Sequence, residues 1–341
     1  MLIARRTIVR SLLAAPALAG ASGARAAART LRISHHFPGG TLEQGDFRDR
    51  LVRRFAAEVG KRTDGELRFE VHPGASLMKA VAQFPALASG ALDLAIYPLA
   101  YSGDDVPETS IGLMPCLVTT FRQGMAWKTQ PIGQELTDML DKRGIKILTW
   151  VWQAGSTASR TVPIVWPNQL KGMRIRGGSR EMDMMLKAAG GAINPVPLNE
   201  VYAAMQTGSL DAVVTSSTSI ISTRLQEICK AVTVGGIGSF WFMFEPLLMS
   251  KKVYDALPAA HQRVVSEVGA ELEAFGLESA VADDENLAQV FAGAGRTARD
   301  MDEAAIDEWR RLAEATAWSE FAGRTPTCAR LLKLAQEVES A

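Results

Sequence analysis

The chemistry open to this chain starts at Arg176. It closes the segment LKGMRIRGG (170–178), where Arg174 and Arg176 alternate with Met173 and Ile175 and a glycine pair follows. Strands of α/β proteins are usually filled by Val, Ile and Leu, so an arginine in the last position is not there for packing. A guanidinium presents a planar, two-pronged donor that matches a carboxylate. A hydrogen bond to a charged group contributes about 1.5–3 kcal/mol net. A salt bridge to a neighbouring acid, or a solvated charge at a strand end, would use the same residue. Position alone does not choose between these.

An internal repeat supplies the elements that must hold this arginine. ALASGALDLAIY (86–97) and AMQTGSLDAVVT (204–215) each read as a helix end, a helix-stopping glycine (Gly90, Gly208), then x-Leu-Asp opening an apolar strand. The likeness extends backward, with LRIS (31–34) matching MRIR (173–176). After LRIS, Phe47, Leu51, Phe55 and Val59 recur every four residues and predict an amphipathic helix. After MRIR, Ser179 caps a second helix with Met182, Met185, Leu186 and Ala189 on one stripe. LRFEVHP (67–73) and AINPVP (192–197) are the second strands. Strand, helix, strand, helix, strand, written twice, is an α/β fold with two similar domains. Residues 258–295 predict one long helix, bent near Gly276, that crosses between domains, and another helix follows over roughly 302–322.

Ligands in open α/β sheets sit beyond the carboxyl ends of the strands. This rule selects Ser34, His35, His36 and Tyr97 in the first half and Arg176 and Thr215, with Ser216 and Ser217, in the second. KILTWVWQAGSTASR (146–160) adds Trp150, Trp152 and Arg160, and GSFWFMFEP (238–246) adds Phe240, Trp241, Phe242 and Phe244. There is no H-E-x-x-H, G-x-S-x-G, P-loop or G-x-G-x-x-G. His35 and His36 are neighbours, so in a strand they point to opposite faces and cannot share a metal. Cys116, Cys229 and Cys328 lack metal spacing and read as small buried apolar residues, with a disulfide the other reading. A cationic fork, small hydroxyls and aromatic walls suit the binding of a small organic anion.

The composition agrees. The 341-residue chain is 47% hydrophobic and 22% charged, as a globular protein of two domains requires. Residues 1–26 carry an arginine pair (Arg5, Arg6), a short apolar stretch and Ala24-Arg25-Ala26. This is an export signal, by the twin-arginine or the general secretory route, and too short to span a membrane. Its removal takes four arginines and no acid, leaving a net charge of −4. That balance argues against nucleic acid or an anionic membrane as partner.

QLKGMRIRGG (169–178), PLNEVYAAMQTGSLDAVV (197–214) and EPLLMSKKVYDALPAAHQRVVSE (245–267) together resemble the DctP-type substrate-binding proteins of tripartite ATP-independent periplasmic (TRAP) transporters. The resemblance runs from about Leu31 to beyond residue 290. It implies a periplasmic binding protein with two domains joined by a hinge and a domain-spanning helix, which does no chemistry and needs no cofactor. On that reading the first domain is 27–154 plus about 245–285, and the second 155–244 plus about 286–341. Such a protein hands an organic acid to the small and large permease subunits. The family's ligand-carboxylate arginine matches Arg176, and a second family arginine matches Arg160. Two departures stand out: Thr215 replaces an asparagine, and R-G-G replaces R-V-P. With Trp152, Phe240 and Trp241 nearby, they favour a monocarboxylate with an apolar or aromatic body over sugar acids and C4-dicarboxylates. The alternatives are the binding protein of an ATP-driven importer, a ligand-sensing partner of a receptor and, more remotely, an exported enzyme.

Overall fold

A computed structural model describes residues 28–235 and 238–338; the export signal at 1–26 lies outside the described residues. The first half folds as β1 (Arg29–Ser34), a helix over Phe47–Arg62, β2 (Leu67–His72), a helix over Gln83–Ser89 and β3 (Leu94–Ile96). Phe47, Leu51, Phe55 and Val59 are all buried and pack with Leu31 and Ile33 of β1. Asp46 caps that helix by accepting from the Arg48 backbone N–H at 3.0 Å. The chain then runs through β4 (Ile145–Thr149) and β5 (Trp152–Ser159). The second half repeats the plan with β6 (Arg174–Arg176), a helix over Arg180–Ala188 capped by Ser179, β7 (Ala192–Ile193), a helix over Leu198–Thr207 and β8 (Ala212–Ser216). Next come β9 (Ala231–Val234), β10 (Phe242–Phe244), β11 (Leu247–Ser250), the long helix Ala259–Gly293 and β12 (Thr297–Asp300).

Two sheets result. One has the order β2-β1-β3-β11-β4, the other β12-β9-β5-β8-β6-β7 with β10 paired to β5. The repeat is visible in them. β1 pairs in parallel with β2 and β3, and β6 pairs in parallel with β7 and β8. Gly90 and Gly208 both end their helices in the left-handed region, at φ 81° and 79°. The aspartates that follow act alike: Asp93 accepts from the Arg32 backbone N–H at 2.8 Å, and Asp211 from that of Arg174 at 2.9 Å. In this register Ser34 is the first-half equivalent of Arg176.

Two antiparallel strands pass from sheet to sheet. β4 leads through Trp150 and Val151 into β5, and β10 leads through Glu245 and Pro246 into β11. The long helix packs against the helix Phe47–Arg62, β4, β5, β9 and β12, and so spans both sheets. Three details differ from the sequence reading. The second strand of the second half is only two residues long, because Pro195 and Pro197 cannot donate to a ladder. The C-terminal helix is Glu303–Ala313, continued through a wider turn at Glu314–Trp318 into Ser319–Arg324. A further helix, Pro326–Gln336, packs beneath with Leu331 and Leu332 buried.

A fully buried arginine ties these parts together. Arg48 donates to Asp46 (2.8 and 2.6 Å) and to Glu245 (3.1 Å) between the two crossing strands. It also reaches Ser219 Oγ (3.0 Å) and Ser216 Oγ (3.4 Å) at the end of β8. Gln153 of β5 donates to the same Glu245 oxygen, and Ser222 donates to Asp46 at 2.9 Å. Taking ions out of water costs several kcal/mol each, repaid only by near-complete pairing. Removing Arg48 strands two carboxylates. Arg48→Ala is expected to lower stability by about 3–5 kcal/mol, measured as a shifted urea midpoint; a midpoint within error of wild type would show that the network bears no load.

Candidate functional site

Arg176 stands at the end of β6, 3% exposed, on the wall of a cavity of about 930 Å³. One side of the cavity is built from 74–81 and 100–104, which belong with the first sheet. The other side is Arg176 with 178–187 and 193–200. The guanidinium donates to the carbonyl oxygens of Val196 (Nε, 3.1 Å) and Val214 (Nη1, 3.4 Å) and to the Tyr101 hydroxyl (Nη2, 2.7 Å). Every one of these acceptors is neutral. Among the described residues no carboxylate lies within ion-pair distance of Arg176. Arg176 therefore has no directly paired counter-ion, unlike Arg48.

The local backbone is shaped around this side chain. Gly178 has φ +93°, and a Cβ there would stand 2.9 Å from Arg176 Nη1. Only glycine leaves the guanidinium room in that conformation. The Gly177 N–H donates to Asp183 Oδ1 at 2.8 Å, and the Gly177 carbonyl accepts from Trp241 Nε1 at 3.1 Å. Burial raises the Asp183 carboxyl to about 6, against the opposing pull of the Gly177 hydrogen bond and the Arg176 charge.

The remaining expected residues fall into two groups. Trp241 braces the arginine strand through Gly177, and Tyr97 lies beside the site with its ring 6.3 Å from that of Tyr101. The buried Tyr97 hydroxyl sits near Ser102 without a hydrogen bond of normal geometry. His35 is buried behind the site, with Nε2 3.0 Å from Asp49 Oδ1. Burial alone would raise the Asp49 carboxyl, but hydrogen bonds from His35 and Arg53 hold it below its usual value. Trp152 is in the core, packed on Trp127 and Phe244, and Trp150 shares Phe244 with it. Phe240 stacks on Trp309 at 5.1 Å. Thr215 is buried in β8 opposite Ser156. Arg160 is not on the cavity. It is about one-third exposed, 4.0 Å from Asp211 at the amino end of β8, where Arg174 makes the tighter pair at 2.7 Å. Cys116, Cys229 and Cys328 are buried and unbonded.

Sequence reading passed over two residues, Tyr101 and Asp183. Tyr101 takes the contact expected of Tyr97, because a 3-10 turn at Leu99–Ser102 carries the chain back toward β6. Asp183, one turn into its helix, is aimed at Gly177. His36, not His35, faces the cleft tyrosine, its ring 5.4 Å from that of Tyr101. Both histidines lie past the end of β1 (Arg29–Ser34), so the turn that follows the strand, and not strand alternation, sets what each one meets.

Comparison with known proteins places this geometry. Residues 40–323 match the profile described as DctP, bacterial extracellular solute-binding protein, family 7. A solute-binding protein of Albidiferax ferrireducens is 54% identical over 307 residues, 90% of this chain and 91% of that one. A crystal structure of a TRAP periplasmic solute-binding protein from Rhodoferax ferrireducens, with bound malonate, superposes with a TM-score of 0.88 at 54% identity, over 90% of this chain and 98% of that one. DctP7 of Bordetella pertussis, a receptor binding pyroglutamic acid, shares the fold at 21% identity, with a TM-score of 0.81 over 91% of this chain and all of that one.

Asp183 gives a pH test of the site. Its folded pKa is raised above that of an exposed Asp, so the folded state binds the proton more tightly and ionisation opposes folding. The cost grows as pH rises from about 4 through 6 and is fully present above that. Asp183→Asn keeps the acceptor for Gly177 and removes the charge. The variant is expected to gain stability over wild type at pH 8 and to lose that advantage at pH 4, in thermal melts across the range. An advantage independent of pH would show an ordinary carboxylate.

Proposed function

The chain belongs to the DctP family of bacterial extracellular solute-binding proteins, and from that premise we propose that it captures a small organic acid by its carboxylate at Arg176 and passes it to the membrane subunits of a TRAP transporter. The observation that carries this reading is the buried guanidinium of Arg176, open to the cavity and satisfied only by neutral oxygens. A carboxylate entering the cleft loses its water, and a desolvated two-pronged cation compensates for that loss. Tyr101 comes from the opposite wall and already touches Arg176. A ligand seated there would contact both walls, so its extra contacts with the closed form would favour closure.

The bound malonate of the 54% identical relative supports a short acid. The expectation of an apolar or aromatic ligand body rested on Trp152, Phe240 and Trp241. The first two pack in the core, and Trp241 spends its indole N–H on Gly177. That arrangement favours a short, polar acid over an aromatic one. The family is extracytoplasmic, and its members are solute-binding proteins rather than enzymes. For this chain a periplasmic location agrees with the export signal. No helix among the described residues is long and apolar enough to cross a membrane, and delivery would rest on separate permease subunits.

The test is a thermal-shift screen against short organic acids, followed by titration of wild type and Arg176→Ala. A ligand at a hundred times its dissociation constant adds about 2.7 kcal/mol of stability. Arg176→Ala is expected to lose at least about 2 kcal/mol of binding, roughly thirtyfold, while melting without ligand near wild type. An acid bound equally well by both proteins would move the carboxylate site elsewhere.

A further inference from the structure

We propose that His36 is the second anchor of the ligand, taking a second oxygen-bearing group of a short acid whose first carboxylate lies on Arg176. The inference rests on the carboxylate reading of Arg176 and goes beyond it by naming the group that selects among acids.

His36 is 2% exposed, yet both of its ring nitrogens lack a hydrogen-bond partner among the described residues. An unpaired buried polar atom costs about 1–3 kcal/mol, and this ring carries two. The neighbouring His35 differs in having one of its two nitrogens satisfied: Nε2 is bonded to Asp49, and Nδ1 alone is unpartnered. His36 packs directly behind Tyr101, a residue of the cavity wall. Its ring lies 4.1 Å from that of Phe37 and 5.4 Å from that of Tyr101, whose hydroxyl accepts from Arg176.

The charges that shift His36 are cationic. Burial first, then the charges of Arg48, His35 and Arg176, push its pKa well below the ordinary histidine value, so the ring is neutral at physiological pH. Arg48 is neutralised by Asp46 and Glu245, and His35 is held by Asp49. Arg176 is not neutralised. A neutral imidazole beside an unpaired guanidinium can donate from one nitrogen and accept at the other. It therefore suits a second carboxylate, hydroxyl or oxo group. A plain aliphatic monocarboxylate offers nothing to it.

Malonate and propionate, of equal chain length, separate these cases. Both are titrated calorimetrically into wild type, His36→Phe, His36→Ala and Arg176→Ala. Phenylalanine keeps the ring contacts with Phe37 and Tyr101 and deletes both nitrogens; alanine covers the case in which the larger ring does not fit. Wild type is expected to bind malonate at least about tenfold more tightly than propionate, the worth of one hydrogen bond to a charged group. In the His36 variants malonate should weaken by about tenfold or more, with propionate little changed. Without ligand, His36→Phe should melt at or above wild type, because it removes unsatisfied polar atoms. A structural histidine would show the opposite split, lower stability with malonate affinity retained. If Arg176→Ala abolishes malonate binding and His36→Ala leaves it within twofold of wild type, the carboxylate reading stands and this one falls. If wild type binds neither acid while another short acid binds through Arg176, this inference falls and the carboxylate reading stands.

Discussion

The structure depends on one buried cation and the groups that neutralise it. Arg48 reaches from the helix after β1 to Glu245, which sits where β10 becomes β11, and to the serines that end β8. Those contacts join the first sheet, the crossing strands and the second sheet. The cost of desolvating three ionised groups explains why the network is dense. Asp46 receives from Arg48 and from Ser222, and Glu245 also receives from Gln153. Burial raises the Glu245 carboxyl, with the Arg48 charge and hydrogen bond pulling the other way. Fewer partners would leave oxygens of Glu245 and donors of Arg48 buried and unpaired.

The same network orients the site. The Arg48 guanidinium lies over the Phe37 ring, 3.7 Å from its centroid. It thereby fixes the turn that follows β1, and with it the adjacent His36. His35 is anchored to Asp49 of the same helix. His35 is thus committed to structure, while His36 packs on Phe37 and on Tyr101 of the cavity wall.

Two buried arginines with opposite partners give the protein its division of labour. Arg48 is saturated by carboxylates and holds the fold. Arg176 is met by two carbonyl oxygens and a tyrosine hydroxyl, enough to orient it and too little to neutralise it. The repeat sharpens the contrast. At the first-half position equivalent to Arg176, Ser34 accepts a 3.2 Å bond from Gln83 and is buried without charge. Two copies of one α/β unit therefore carry the cation once.

Local order was decided by the sequence alone. Helix stripes such as Phe47, Leu51, Phe55 and Val59, the glycine stops at 90 and 208, and the paired Leu-Asp strand openings depend on residues a few positions apart. They therefore specify two α/β units and place Arg176 at a strand end. What a side chain meets from a distant part of the chain was decided only in three dimensions. Arg174 and Arg160 share Asp211 while Arg176 does not, His36 rather than His35 meets Tyr101, and Trp152 and Phe240 go to core partners at Trp127 and Trp309. Arg48 carried no signal at all, since a charged residue in an amphipathic helix reads as solvated until the partner that buries it is known. Periodicity reports which face of an element is covered, and only the packing of distant elements reports by what.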